Sequence, residues 1–141
     1  MINKLKPYAE YTHTGVQWLG AIPTRWRKVA GRACFSVKHQ SNVGMKEKTV
    51  LSLSYGNIVV KPEDRLHGLV PRSFETYQVI ELGDIVIRPT DLQNDWSSLR
   101  FGYAKVRGII TSAYLAFRTS SEVAPRYGYS LLHSYDLMKV F

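Results

Sequence analysis

Alternation of apolar and polar residues predicts strands through the middle of the chain. Residues 49–55 alternate valine, leucine and tyrosine with serine, and the apolar segment 58–60 follows after Gly56 and Asn57. This pattern predicts either a β-hairpin or a strand with a bulge, because a glycine next to an asparagine favours a tight turn.

Further strands are predicted downstream by β-branched and aromatic residues. Residues 77–80 and 85–87 predict two strands separated by a turn at 81–84, which contains glycine and aspartate. Residues 102–106 and 109–118 predict two more, and the second is long and rich in β-forming residues.

A spacing of three to four residues between apolar positions predicts helices at both ends. Residues 26–37 place their apolar side chains on one helical face, and residues 125–141 suit one or two packed helices. Residues 18–26 predict a single helical turn, which we interpret as a hydrophobic staple built on Trp18 and Trp26. The sequence therefore predicts an α+β domain, in which a mixed, twisted sheet of at least five strands has helices at both ends.

Composition adds a strong positive charge to this outline. The 141 residues fit one domain and carry a net charge of +8, with nine of the 19 basic residues and only two of the 11 acidic residues in positions 1–48. Such a field attracts polyanions such as nucleic acid, although it also serves solubility alone. The sequence has no run of eighteen apolar residues, so it predicts no membrane span. Its one cysteine, Cys34, fits a reducing cytoplasm.

Residue spacing argues against catalysis by this chain. The four histidines lie far apart and have no second ligand at metal-binding spacing. Gly15 and Gly20 have the separation of a phosphate-binding loop, but Ala21 stands where that loop needs a lysine. We therefore expect a non-catalytic protein that binds no cofactor and no metal.

Four segments resemble the specificity subunits of type I restriction-modification enzymes. They are W-L-G-A-I-P-T-R-W at 18–26, G-D-I-V-I with a polar loop at 83–95, G-I-I-T-S-A-Y-L-A-F-R at 108–118, and the segment 127–141. Each is weak alone, but they follow one another in the family's order. The resemblance covers residues 14–141 and leaves 1–13 as a loose leader.

The resemblance implies a DNA target-recognition domain that reads one half of a split site. In that family two such domains are held apart by spacer helices, which dock methyltransferase subunits that use S-adenosylmethionine, while a separate restriction subunit cleaves. This sequence contains one domain, without a spacer helix or second domain, so we expect a cytoplasmic half-subunit with double-stranded DNA, methyltransferase and restriction subunits as partners. The alternative is a truncated half-subunit that serves as a protein-interaction scaffold for methyltransferase subunits.

Side-chain chemistry selects the candidate DNA contacts, because the family's reading loops differ between members. The polar loop 93–100 supplies amides, an arginine and an aromatic ring for base readout, and Lys46 and Lys48 suit phosphates. The alternatives are an ordinary surface loop for residues 93–100, a solvated face for Lys46 and Lys48, and a plain hairpin tip for Tyr55 and Asn57. The candidate residues are Lys38, Lys46, Lys48, Tyr55, Asn57, Arg72, Gln93, Asn94, Trp96 and Arg100.

Overall fold

A computed structural model describes residues 6–62, 73–90 and 94–140 of the chain. Within these ranges the chain forms ten short strands, two α-helices and one 3-10 turn, which confirms the α+β class. The described residues up to Gly31 form one compact unit, and those from Arg32 onward form another. The chain therefore divides after Gly31, whereas the sequence suggested a boundary after His13.

The first unit is a two-stranded antiparallel ribbon. Strand β1 (Tyr11–His13) pairs with β2 (Ala21–Pro23). Between them the main-chain N–H of Gly20 donates to the carbonyl oxygen of Val16 at 2.9 Å, which closes one helical turn. The helical turn predicted over 18–26 is therefore wrong, because residues 21–23 pair with β1 as a strand and the observed turn ends at Gly20. The described part of the predicted leader, residues 6–13, contributes β1.

The two tryptophans of this unit are only half-buried. Trp18 and Trp26 are each 48% exposed, so the predicted staple does not enclose them. The ring of Trp26 meets that of Tyr8 edge to face, with centroids 5.8 Å apart. This geometry is the favourable one for aromatic pairs, because it sets the positive edge of one ring against the negative face of the other.

The second unit is built on a four-stranded antiparallel sheet. Its order is β3 (Phe35–Lys38), β10 (Leu115–Thr119), β7 (Ile85–Ile87) and β8 (Phe101–Tyr103). The short helix α1 (Gly31–Cys34) precedes β3. The helix predicted over 26–37 is therefore wrong for most of its length, because residues 35–38 pair with β10 at the sheet edge.

A hairpin lies against this sheet where a glycine allows close approach. Strands β4 (Leu51–Ser54) and β5 (Asn57–Val60) form a hairpin, the first of the two alternatives predicted for this segment. A Cβ at Gly102 of β8 would come within 2.6 Å of Leu53 and 2.8 Å of Ile58, so a larger residue there would push the hairpin away.

A third pair of strands completes the core. Strand β6 (Gln78–Ile80) pairs antiparallel with β9 (Gly108–Ile110), and Val50 forms an isolated parallel bridge with Ile109. The segment predicted as one strand over 109–118 is thus two strands in different sheets, separated by a turn at 111–114. The predicted mixed sheet is likewise replaced by separate antiparallel sheets. The buried apolar residues are Val50, Leu51, Val79, Ile80, Ile85, Val86, Phe101, Ala104, Ile109, Ile110 and Ala116.

The C-terminal helix α2 (Pro125–Leu137) confirms the prediction for the end of the chain. Gly128 brings it close to the main sheet, since a Cβ there would lie 2.7 Å from Thr119 and 3.0 Å from the ring of Phe35. Near its other end Asp136 is buried. Across the described ranges, no helix has both the length and the apolar character needed to cross a bilayer.

Candidate nucleic-acid interface

The tip of the β4–β5 hairpin holds a tyrosine out in solvent. Tyr55 and Gly56 occupy the central positions of the turn with φ of +47° and +75°, and two left-handed residues in succession define a type I′ turn. The side-chain amide of Asn57 donates to the carbonyl oxygen of Tyr55 at 3.1 Å. Tyr55 is 92% exposed, so its ring is presented by a short, hydrogen-bonded turn.

The loop 94–99 is folded around the carboxylate of Asp95. One carboxylate oxygen accepts the main-chain N–H groups of Ser97 at 3.3 Å and Ser98 at 2.9 Å, and the other accepts from the guanidinium of Arg88 at 2.5 Å. Hydrogen bonds from the Ser98 side chain and main chain hold the pKa of Asp95 well below its usual range. This turn leaves Asn94 exposed and Trp96 67% exposed.

Arg100 holds this loop from inside, which corrects the expectation that it reads bases. The residue is 6% exposed, and its guanidinium donates to the carbonyl oxygens of Thr90 at 2.7 Å and Asp95 at 2.6 Å. Its main-chain N–H donates to the buried carboxylate of Asp136. A base edge in a DNA groove cannot reach a guanidinium that is buried and committed to main-chain carbonyls.

The end of α2 fastens the loop from the other side. The ammonium group of Lys139, just beyond the helix, donates to the carbonyl oxygen of Ser98 at 3.1 Å and lies 3.3 Å from the carboxylate of Asp136. Asp136 therefore connects the loop to α2 through both Arg100 and Lys139. The main chain of the loop is therefore held at Asp95 by Arg100 and at Ser98 by Lys139, and we call it the braced loop.

The hairpin tip and the braced loop are neighbours. A Cβ at Gly56 would lie 3.1 Å from both Cβ and Cδ1 of Leu99, and the Tyr129 hydroxyl donates to the carbonyl oxygen of Gly56 at 3.3 Å. The exposed residues at this end of the fold come from segments some 40 positions apart. We call this set the tip surface, and its members are Tyr55, Asn57, Asn94 and Trp96.

The two predicted phosphate contacts lie at the opposite end of the hairpin. Lys46 and Lys48 are exposed on a loop that Asn42 braces, since its amide donates to the carbonyl oxygen of Glu47 and its oxygen accepts the Glu47 N–H. Lys61, which follows β5, is also exposed and bonds through its N–H to Val50. We call Lys46, Lys48 and Lys61 the lysine end.

Extended chain separates the lysine end from the tip surface. Lys48 and Tyr55 are seven positions apart, which at the rise of a strand corresponds to about 20 Å. The structure therefore places the hairpin tip, which carries Tyr55 and Asn57, beside the loop that carries Asn94 and Trp96, and it places the lysines at the other end of the hairpin. The candidates form two groups at the two ends of one hairpin.

Acidic neighbours partly offset the charge at the lysine end. Arg107 bridges two carboxylates, with Nε 3.1 Å from Glu47 and Nη1 2.6 Å from Glu81. The main-chain N–H of Thr49 lowers the pKa of Glu47, which stays ionised at neutral pH. The positive charge presented to solvent here is therefore that of the lysines, because the arginine is shared between two acids.

Lys38 is a structural residue, which corrects its place among the phosphate contacts. Its ammonium group lies 3.0 Å from the carboxylate of Asp84, whose side chain is fully buried. The same carboxylate accepts from Nε of Arg118 at 3.2 Å and from the N–H of Glu81 at 2.8 Å. Removing Lys38 from this cluster would leave a buried carboxylate with one cation fewer, so its role is to neutralise Asp84.

Two candidates, Arg72 and Gln93, lie outside the described residues. Sequence reasoning missed Asp95, Asp136 and Lys139 as the residues that shape the loop. The string Asp-Trp-Ser-Ser at 95–98 carries a usable signal, because aspartate followed by serines favours a turn closed on the carboxylate. No local signal marks Asp136 or Lys139, which act across about 40 positions.

The described ranges contain no group of three or more histidine, cysteine, aspartate or glutamate residues that could hold a metal ion. No protein-family model matches this sequence, and no curated protein matches it either.

Proposed function

We propose that this chain is a DNA target-recognition module of a type I restriction-modification system, which itself catalyses no reaction. It reads one half of a split site and directs partner methyltransferase and restriction subunits to it. The observation that carries the proposal is the tip surface, where the contact of Leu99 with Gly56 joins two loops that carry amides and aromatic rings.

The tip surface has the side-chain chemistry of direct base readout. Asparagine pairs with the N6 and N7 edge of adenine in the major groove, and aromatic side chains contact the thymine methyl group. Asn57 uses one amide donor within its own turn and keeps its oxygen available as an acceptor. The backbone of a braced turn is already ordered before binding, so less entropy is lost when its side chains contact DNA.

The lysine end supports a phosphate-binding role on the same duplex. Base pairs stack at 3.4 Å, so the separation of about 20 Å between the two ends corresponds to about six base pairs. A duplex lying along the hairpin would place base edges at one end and backbone phosphates at the other. That span suits the short recognition sequence of a half-site.

The sequence resemblance over residues 14–141 supports the restriction-modification setting, and the net charge of +8 supports a polyanionic partner. We further propose that the module works in the cytoplasm, without a cofactor of its own. The partners in this proposal are double-stranded DNA and the methyltransferase and restriction subunits of the same system.

A protein-interaction scaffold is the second candidate function. It is favoured by Leu137 and Met138 at the end of α2, which are 59% and 56% exposed. Exposed apolar residues grouped at one place suit a protein partner. In this version the chain would dock methyltransferase subunits without contacting DNA.

Duplex binding by the purified chain separates the two functions. We expect fluorescence anisotropy to show binding to a random-sequence duplex, with log affinity falling linearly as log salt rises. On a duplex that carries the sequence selected from a random pool, Asn94→Ala should bind more weakly than the wild type. Tyr127→Ala, which removes an exposed ring from α2, serves as the control and should bind as the wild type does. No binding at low salt, together with co-purification of a methyltransferase subunit, would contradict DNA recognition and favour the scaffold.

A further inference from the structure

Tyr55 has an unfavourable backbone conformation that its side chain does not offset through packing. Its φ of +47° is left-handed, where a Cβ meets the following carbonyl group, and asparagine or glycine is preferred at this position of a type I′ turn. At 92% exposure the ring contributes almost no burial. Strained residues of this kind concentrate at binding sites, so an exposed tyrosine in this conformation marks the hairpin tip as a candidate contact surface.

Trp96 is a second large aromatic residue that is exposed, on the neighbouring loop. It is 67% exposed, the most exposed of the three tryptophans, yet the residues around it are held by Asp95, Arg100 and Lys139. A large ring on a braced turn loses little freedom when it stacks on a partner. Tyr55 and Trp96 therefore offer two pre-positioned aromatic faces at one end of the fold.

We infer that the tip surface binds unpaired nucleobases, with Tyr55 and Trp96 stacking on base faces. The inference rests on the proposed function in taking DNA as the ligand, and it specifies the form of DNA. A paired duplex presents only base edges in its grooves, whereas a base that has left its pair exposes the flat face that an aromatic ring can cover.

The polar groups beside the two rings fit the same ligand. The amide of Asn57 can pair with the donors and acceptors that an unpaired base presents on its pairing edge. Stacking faces and an amide together match a nucleobase, whereas an apolar peptide would leave the amide without a partner.

The test compares a fully paired duplex with the same duplex carrying one unpaired thymine. The full-length chain is used with Trp18→Phe and Trp26→Phe, so that emission reports Trp96 alone. We expect the bulged duplex to bind about tenfold more tightly, in line with the effect of one stacked base, and to quench Trp96 emission. The paired duplex should produce little quenching.

Tyr55→Asn makes stability and binding move in opposite directions. Asparagine suits the left-handed position, so this variant should unfold at the same or a higher denaturant concentration and yet lose the preference for the bulge. Met45→Asn is the matched control, because Met45 also has a left-handed φ of +49° and is 47% exposed, but lies on the loop at the lysine end. It should keep the preference.

The outcomes distinguish this inference from the proposed function. Equal binding of paired and bulged duplexes, or a Tyr55→Asn variant that keeps the preference, overturns the inference and leaves duplex recognition standing. Binding only to the bulged duplex supports the inference and contradicts duplex recognition. Binding to neither DNA overturns both.

Discussion

The side chain of Leu99 packs against the backbone of Gly56, so closely that a Cβ at position 56 would come within 3.1 Å of two Leu99 carbons. This contact joins the hairpin tip to the braced loop. Tyr55 directly precedes Gly56 on the hairpin, and Trp96 lies three positions before Leu99 on the loop. The relative position of the two proposed recognition loops thus depends on a residue without a side chain.

Gly56→Ala should destabilise the protein more than an equivalent glycine substitution elsewhere. Alanine at a φ of +75° is expected to cost about 1 kcal/mol of unfolding free energy, and the overlap with Leu99 adds to this. Gly44→Ala is the matched control, since Gly44 has the same φ and its nearest neighbour would be 3.9 Å away. Chemical denaturation measures both. Equal losses would show that the Leu99 contact contributes nothing.

Arg100→Lys should reduce stability without changing base preference. A lysine cannot reach the two carbonyl oxygens that the planar guanidinium bonds, and a buried acceptor left without a donor costs about 1–3 kcal/mol. Thermal melting and duplex binding report the two effects separately. If the variant had wild-type stability and an altered preference at one base pair, Arg100 would contact a base directly, which would contradict this prediction.

Asp95 should keep the loop folded into mildly acidic solution. Its pKa is lowered in the folded state, so its contribution to stability is present above the ordinary value of about 3.9 and is lost only as pH falls through the lower, folded value. In the single-tryptophan background, Trp96 emission should stay constant from pH 7 to pH 4. A transition with a midpoint above pH 4 would contradict this.

Two variants separate the charge of Asp95 from its turn-forming role. Asp95→Asn keeps an oxygen that can accept from Ser97 and Ser98, so its Trp96 emission should match the wild type at pH 7. Asp95→Ala removes the acceptor, so its Trp96 emission should shift towards that of a freely solvated indole at every pH.

Charge reversal of Lys46 and Lys48 should weaken duplex binding by a similar factor for all sequences. Phosphate contacts carry no sequence information, and losing two of them should reduce the slope of log affinity against log salt by about two. Arg126→Glu on α2 is the control, since Arg126 is exposed, lies outside the lysine end, and the substitution makes the same change in charge per site. If the double variant kept the wild-type salt slope, the phosphate contacts would lie elsewhere.

Local pattern predicted the elements whose conformation is decided locally. A hairpin is one of the two structures predicted from Gly56 and Asn57 between apolar segments, although its turn lies one position earlier, at Tyr55 and Gly56. Helix α2 follows from the spacing of its apolar residues and the proline at its start. The helix predicted over 26–37 failed because residues 35–38 gain more by pairing with β10, a partner 80 positions away. Propensity is a weak guide where a distant strand competes for the same backbone.

The same distinction separates the candidate site residues. Exposure of Tyr55 and Trp96 could be predicted because both lie in polar turn segments. The burial of Arg100 and the ion pair of Lys38 could not be predicted, because each is set by a carboxylate that folding brings from elsewhere, Asp136 for Arg100 and Asp84 for Lys38. A basic side chain in a loop gives no sign in sequence of whether it faces solvent or a buried acid.

Selection of bound sequences from a pool of random duplexes tests the proposed DNA recognition most directly. The account predicts enrichment of a short motif of a few base pairs, and Asn94→Ala should relax the preference at particular positions by roughly 1–3 kcal/mol while non-specific affinity hardly changes. Gln93→Ala should act in the same way if that residue also reads a base. A pool that shows no enriched motif, from a chain that is folded and binds a methyltransferase subunit, would contradict the account.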